Sequence, residues 1–196
     1  MIDDLEKWKT LLAQTRVIYE FQDHLSVRSF EQLLEFENQA EFLLPIEYKE
    51  FCQVFGPGLF TKNWFKVNCP DPEDVGREPI SNLDTKVAIK GSYAYPLDVK
   101  NLIDSAYIFG VGDGYIFFLF DLRTYSELDQ SYEIYVLDDE REHTIHYLGR
   151  SFFEFIRDMC LGDRTFLEFP GLINVPEDVN DVMPNHGQRA FVPYSK

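Results

Sequence analysis

The stretch Phe109-Gly110-Val111-Gly112-Asp113-Gly114-Tyr115-Ile116-Phe117-Phe118-Leu119-Phe120-Asp121-Leu122 constrains this chain more than any other. Read as extended backbone, it sends Tyr115, Phe117 and Leu119 to one side and Ile116, Phe118 and Phe120 to the other. A strand apolar on both sides must be covered on both, so it lies in the middle of a sheet. Three glycines just before it suggest a phosphate-binding loop. Such a loop, however, has to open onto a helix whose free N–H groups face the anion. Here the glycines open onto β-branched and aromatic residues, which predicts a tight turn between two core strands. A reversal this short predicts a positive φ at Gly112, Gly114 or both.

Other periodicities extend the picture. Asp3 to about Tyr19 reads as a helix with Leu5, Trp8, Leu12 and Thr15 on one face, and Asp3 and Glu6 stand at capping positions. Ser29 and Gln32 form a second capping box ahead of Phe30, Leu33 and Leu34. Pro45 opens a third helix with Tyr48, Phe51, Cys52 and Phe55 on one face, stopped by Gly56. Strands are predicted at 64–68, 106–109, 115–121, 132–137 and 143–148, with Asp138-Asp139-Glu140-Arg141 joining the last two. Ser151 and Glu154 begin a closing helix that aligns Phe152, Phe155, Ile156, Met159 and Cys160 before Gly162. Residues 76–104 give no clear period. Residues 163–196 contain four prolines and no sustained period, and are expected to run over the surface as a C-terminal extension. The expected class is therefore α+β: one domain over 1–162 with a central, mostly antiparallel sheet packed by helices.

With 196 residues, 45% hydrophobic and 16% aromatic, the chain has ample material for a large core. No window approaches 18 uninterrupted apolar residues, and the acidic start Met1-Ile2-Asp3-Asp4 is unlike a secretory signal, so a cytoplasmic protein is expected. Cys52, Cys69 and Cys160 lie far apart with no Cys-x-x-Cys pair, and Cys52 and Cys160, on the apolar faces of predicted helices, read as small buried hydrophobes.

Charge narrows the function. The formal net charge is −16, from 34 acidic and 18 basic residues. Such a chain repels a phosphate backbone and attracts basic proteins. Residues 101–150 carry ten acids against three bases, while 51–100 are balanced.

No catalytic constellation stands at its required spacing. His143 and His146 fall on a strand, where an odd offset sends them to opposite faces. There is no Gly-x-Ser-x-Gly elbow, no His-Glu-x-x-His and no Walker lysine. Asp113 suits its glycine turn, since its side chain can bond backbone two residues on. Asp121 suits a strand end, although a partly buried acid there could have a raised pKa. The run Asp138-Asp139-Glu140-Arg141-Glu142 lacks an EF-hand's alternating oxygens and reads as a solvated hairpin tip. Asp138, Asp139, Glu140, Glu142 and Asp113 are the expected partner-binding residues, with no cofactor and no metal.

Three motifs occur in one order. Leu44-Pro45-x-Glu47-Tyr48-x-x-Phe51 with Gly56 comes first, then Gly112-Asp113-Gly114-Tyr115 running into Phe118-Leu119-Phe120-Asp121-Leu122, then Ser151-Phe152-Phe153-Glu154-Phe155-Ile156. Over about residues 28–162 this order resembles the SUKH superfamily of Smi/Knr-type cell-wall assembly regulators, Syd-like proteins and bacterial immunity proteins. Phe55 stands where that family usually carries a polar residue. The resemblance implies an α+β binding module without enzyme activity. It also implies an immunity protein that neutralises a toxin by direct contact, with a Smi/Knr-type regulatory scaffold as the alternative. Toxins of such systems are frequently basic nucleases, which suits the charge of this chain.

Overall fold

Burial along the central strand follows the two-sided pattern. The computed structural model describes residues 4–20, 23–74, 86, 95–112, 116–138, 144–169 and 188–194. Strands β4 (Ala106–Gly112), β5 (Ile116–Ser126), β6 (Ser131–Asp138) and β7 (Thr144–Gly149) form an antiparallel meander. Ile116, Phe118 and Phe120 enter a large core on one face, whereas Leu119 enters a second core on the other with Phe117 packed against it. The short β2 (Gly58–Phe60) and β3 (Phe65–Val67) extend the meander. The two-residue β1 (Arg16–Val17) and β8 (Ala190–Pro193) complete an eight-stranded sheet of order β1-β8-β2-β3-β4-β5-β6-β7. All pairings are antiparallel except β1 with β8.

Helices cover both faces. On the larger core lie α1 (Asp4–Ala13), α2 (Phe30–Ala40), α3 (Ile46–Val54) and α5, a single α-turn Phe152–Glu154 that continues as a π-helical stretch, Phe155–Cys160. Helix α4 (Leu97–Asp104) covers the smaller core through Val99, Leu102 and Ile103. A short α6 (Arg164–Glu168) follows α5. The architecture is a single-domain α+β fold. No described helix is long and apolar enough to cross a membrane.

Local sequence explains most boundaries. Ser29 Oγ accepts from the Gln32 amide and the Gln32 side chain accepts from the Ser29 amide, so the capping box is closed in both directions. Tyr48, Phe51, Cys52 and Phe55 of the third helix are all fully buried. Gly56 then takes φ +70°, and a Cβ there would lie 2.7 Å from the Ser26 carbonyl oxygen. Phe55 is stacked on Phe51 with ring centroids 5.3 Å apart, so an aromatic residue before this glycine serves the core.

Some expectations are corrected. Helix α1 stops at Ala13, short of Tyr19, because Arg16 and Val17 are taken by the sheet. On α2 the inward residues are Leu33 and Phe36, while Phe30 and Leu34 are over a third exposed. Glu37, also inward, accepts from the Leu44 amide at 2.6 Å and from Lys49 Nζ at 2.9 Å, tying α2 to α3. Gly112 has no positive φ. It belongs to β4, opposite Ile116, and a Cβ there would meet the Ile116 Cβ and the Phe65 ring at 3.1 Å. Close approach rather than backbone handedness therefore selects glycine at 112; Gly114 lies outside the described residues. Residues 190–193, expected on the surface, enter the sheet between β1 and β2, with Ala190 and Phe191 fully buried.

Candidate binding surface

Three helices meet around two glutamates of α3. Pro45 sets the helix start, which puts Glu47 in the first turn and Glu50 one turn on. Glu47 Oε1 accepts from Lys7 Nζ at 2.7 Å, and Oε2 accepts from Ser151 Oγ at 2.8 Å and the Phe153 amide at 3.0 Å. Ser151 Oγ in turn accepts from the Glu154 amide at 3.2 Å. The first and third sequence motifs are thus joined directly, the carboxylate of one capping the helix of the other. Glu50 Oε2 accepts from Trp8 Nε1 at 2.9 Å and lies 3.4 Å from Lys7 Nζ.

Lys7, Glu47, Glu50, Ser151 and Glu154 line an open cleft of about 590 Å³. Leu128, Asp129 and Gln130 of the β5–β6 turn (residues 127–130) line it too, with Ser131 and Arg150. Arg150 Nη2 donates to the carbonyls of Thr124 at 2.8 Å and Ser131 at 2.9 Å, and its Nε donates to Ser131 Oγ at 3.2 Å. Both cations of the cleft are therefore engaged internally. Burial pushes the Glu47 carboxyl up, but the Lys7 ammonium and the donors of Phe153 and Ser151 outweigh it and hold the group below its usual 4.5. Burial pushes Lys7 down, and its bonds with Glu47 and Glu50 more than reverse that, so its pKa is raised.

A carboxyl with a depressed folded pKa stabilises the fold above its unfolded value, and that contribution disappears as pH falls through the folded value. Stability should therefore drop below about pH 4.5. In Glu47→Gln the acid limb of a urea-midpoint-against-pH curve should flatten. At neutral pH this variant should lose about 1.5–3 kcal/mol, since its bonds are to a charged acceptor. An unchanged acid limb would show that Glu47 is not the group titrating.

Of the sequence-predicted site residues, Asp138 alone is among the described residues. Asp138 is the last residue of β6, paired with Ile116 on one side and Thr144 on the other, and only 7% exposed. It was expected at a solvated tip; the ladder on both sides buries it instead. Asp139, Glu140, Glu142 and Asp113 are outside the described residues. The strand ends flanking them, Gly112, Ile116, Asp138 and Thr144, stand side by side in the register, at the end of β5 and β6 away from the cleft. Asp121 is 3% exposed; burial pushes its pKa up, but the Arg123 side chain at 2.7–2.8 Å, the Arg123 amide and Ser105 Oγ hold it down. It was expected at a strand end; it stands in the middle of β5 instead, opposite Ala106 and Glu133, with its bonds made within the chain.

Among the described residues no group of three His, Cys, Asp or Glu could hold a metal ion. His146 lies on β7 with its ring 5.3 Å from Phe169, and His143 is outside the described residues. All three cysteines are buried and free, and burial pushes the Cys52 and Cys160 thiols well up, as suits inert core residues. Sequence reasoning missed Lys7, Glu50, Arg150 and Leu128. The one local signal was an apolar residue inside the polar turn Ser126-Glu127-Leu128-Asp129-Gln130.

A family model described as SMI1-KNR4 cell-wall (SUKH_6) matches residues 31–156, from α2 into the π-helical stretch of α5. No curated protein and no solved structure matches the chain.

Proposed function

The chain belongs to the SMI1-KNR4 family of the SUKH superfamily, and from that premise we propose that it is a non-catalytic protein-binding module: a cytoplasmic immunity protein that neutralises a basic bacterial toxin by direct contact. The observation that carries this reading is the net charge of −16. A field of one sign speeds the approach of an oppositely charged protein and penalises wrong partners. Asp113, Asp139, Glu140 and Glu142 supply part of that field, whereas the buried Asp138 is a sheet residue. The cell-wall description of the family supports a second reading, a Smi/Knr-type regulatory scaffold with a housekeeping partner.

The two separate in one experiment. The reading frames beside this gene are searched for a basic toxin domain, which is then co-purified with the chain while association is followed as salt rises. Exposed charges are screened beyond about 10 Å near 0.1 M salt, so the association rate should fall by about tenfold or more between low and high salt. Replacing Asp139, Glu140 and Glu142 with lysine should slow association several-fold at low salt without moving the urea midpoint. A partner recovered only from the cell-wall synthesis machinery, or binding indifferent to salt, would overturn the immunity reading.

A further inference from the structure

We propose that the β5–β6 turn is the docking anchor of this protein, and that Leu128 is the side chain over which a basic partner protein closes. The inference rests on the binding-module reading and adds to it the place of contact. Leu128 is 97% exposed, the highest value among the exposed large apolar side chains of the described residues. A lone exposed leucine on a mobile loop would mean little. This one stands on a turn fixed from two directions. Arg150 donates to the carbonyls of Thr124 and Ser131 and reaches Asp129 Oδ2 at 3.4 Å. From the other side the Ile46 amide, at the start of α3, donates to the Gln130 carbonyl at 3.0 Å, and Gln130 holds φ +48°.

Such bracing orders the tip before any partner arrives, so little conformational freedom is lost on contact. An apolar knob on a rigid support with a polar rim is the anatomy of an interface hot spot. The charge around the knob selects the partner. Asp129 and Glu154 face the same cleft; each has an arginine beside it, Arg150 at 3.4 Å and Arg157 at 3.9 Å, yet their side chains stay 47% and 59% exposed, and the cleft's cations Lys7 and Arg150 are already bonded within the chain. The rim therefore offers carboxylate to a partner's lysines and arginines, while Leu128 requires an apolar socket among them. A second copy of this chain, itself at −16, is repelled rather than bound. The division of labour is kinetic: the wider acidic field sets how fast the partner arrives, and Leu128 sets how long it stays.

The test is photo-cross-linking with the full chain carrying p-benzoylphenylalanine at position 128, or at the exposed Leu97 or Leu167, in extract of the native host. Captured proteins are identified by mass spectrometry. Position 128 should capture a protein of pI above about 9, and positions 97 and 167 should not. Against that captured protein, purified, Leu128→Ala should speed dissociation by about thirtyfold, the size of a hot spot, with the association rate and the urea midpoint unchanged. Capture of an acidic protein or of a second copy at 128 overturns the proposal. Capture from 97 or 167 alone also overturns it but leaves the binding-module reading standing. No capture from any position counts against both.

Discussion

Phe152→Ala should lower the free energy of unfolding by about 3–5 kcal/mol, the range for deleting a buried aromatic ring. Phe152 is 1% exposed and sits where the closing helix meets the sheet. Its ring centroid lies 5.0 Å from Tyr48, 5.3 Å from Phe109, 5.5 Å from Phe51 and 5.8 Å from Phe120. These neighbours come from α3, β4 and β5, and each is packed by further rings. Tyr48 is also tied by its hydroxyl to the Asn68 carbonyl at 2.7 Å, so it cannot swing into the gap. The surroundings are thus poor at collapsing, which puts the cost toward the upper end of the range. Urea titration is the measurement, with an unchanged slope expected. A loss under about 1 kcal/mol would mean that α5 does not rest on the sheet in this way.

Glu37→Ala should cost a similar amount, about 3–5 kcal/mol, for a different reason. Glu37 and Lys49 are 7% and 8% exposed, and one carboxylate oxygen serves both the Lys49 ammonium and the Leu44 amide. Removing the carboxylate strands a buried cation, with the Phe30 ring centred 5.9 Å from Nζ. The pair itself need not be worth that much, because both charges were desolvated to form it. The double variant Glu37→Met, Lys49→Met should therefore recover most of the loss. A double variant as unstable as the single would show that packing at Glu37, and not the stranded charge, sets the cost.

The meander was legible because its information is local. Alternation along β5 and β6 fixes which side each residue faces, and a register slip would turn Phe118 and Phe120 out of the larger core. The Ser29 box was legible in both halves because both partners lie within four residues. Ser151 and Glu154 read as a capping box as well, and there the bond from the Glu154 amide to Ser151 Oγ is made, while the Ser151 hydroxyl donates to Glu47, a residue 104 positions away that local sequence does not point to. Distance along the chain also explains the failures. Nothing between Ala13 and Tyr19 says that Arg16 and Val17 will find Ala190 and Phe191. Gly58 and Pro193, which face each other across β2 and β8, are residues that read as turn or loop. The cleft was the least legible part. Lys7, Glu50 and Arg150 look like ordinary surface charges until three helices and a hairpin place their carboxylate and carbonyl partners beside them.

The returning strand β8 has a consequence for the order of assembly. Arg16 Nη1 meets Gln188 Oε1 at 2.8 Å across 172 residues of chain. Closing a loop of that length in a disordered chain would cost about 4–5 kcal/mol of entropy, with only short strands to offset it. Once the meander and its helices have condensed, most of that length is already taken up, and only the flanking segments remain to be brought together. The β1–β8–β2 edge is therefore expected to act as a clasp, the last part of the sheet to close, with Ala190 and Phe191 fully buried once it has. While residues 190–193 have yet to be synthesised, β2 presents an open edge to whatever strand is near. During that interval the chain is most exposed to pairing with the wrong partner, and the clasp ends it from within.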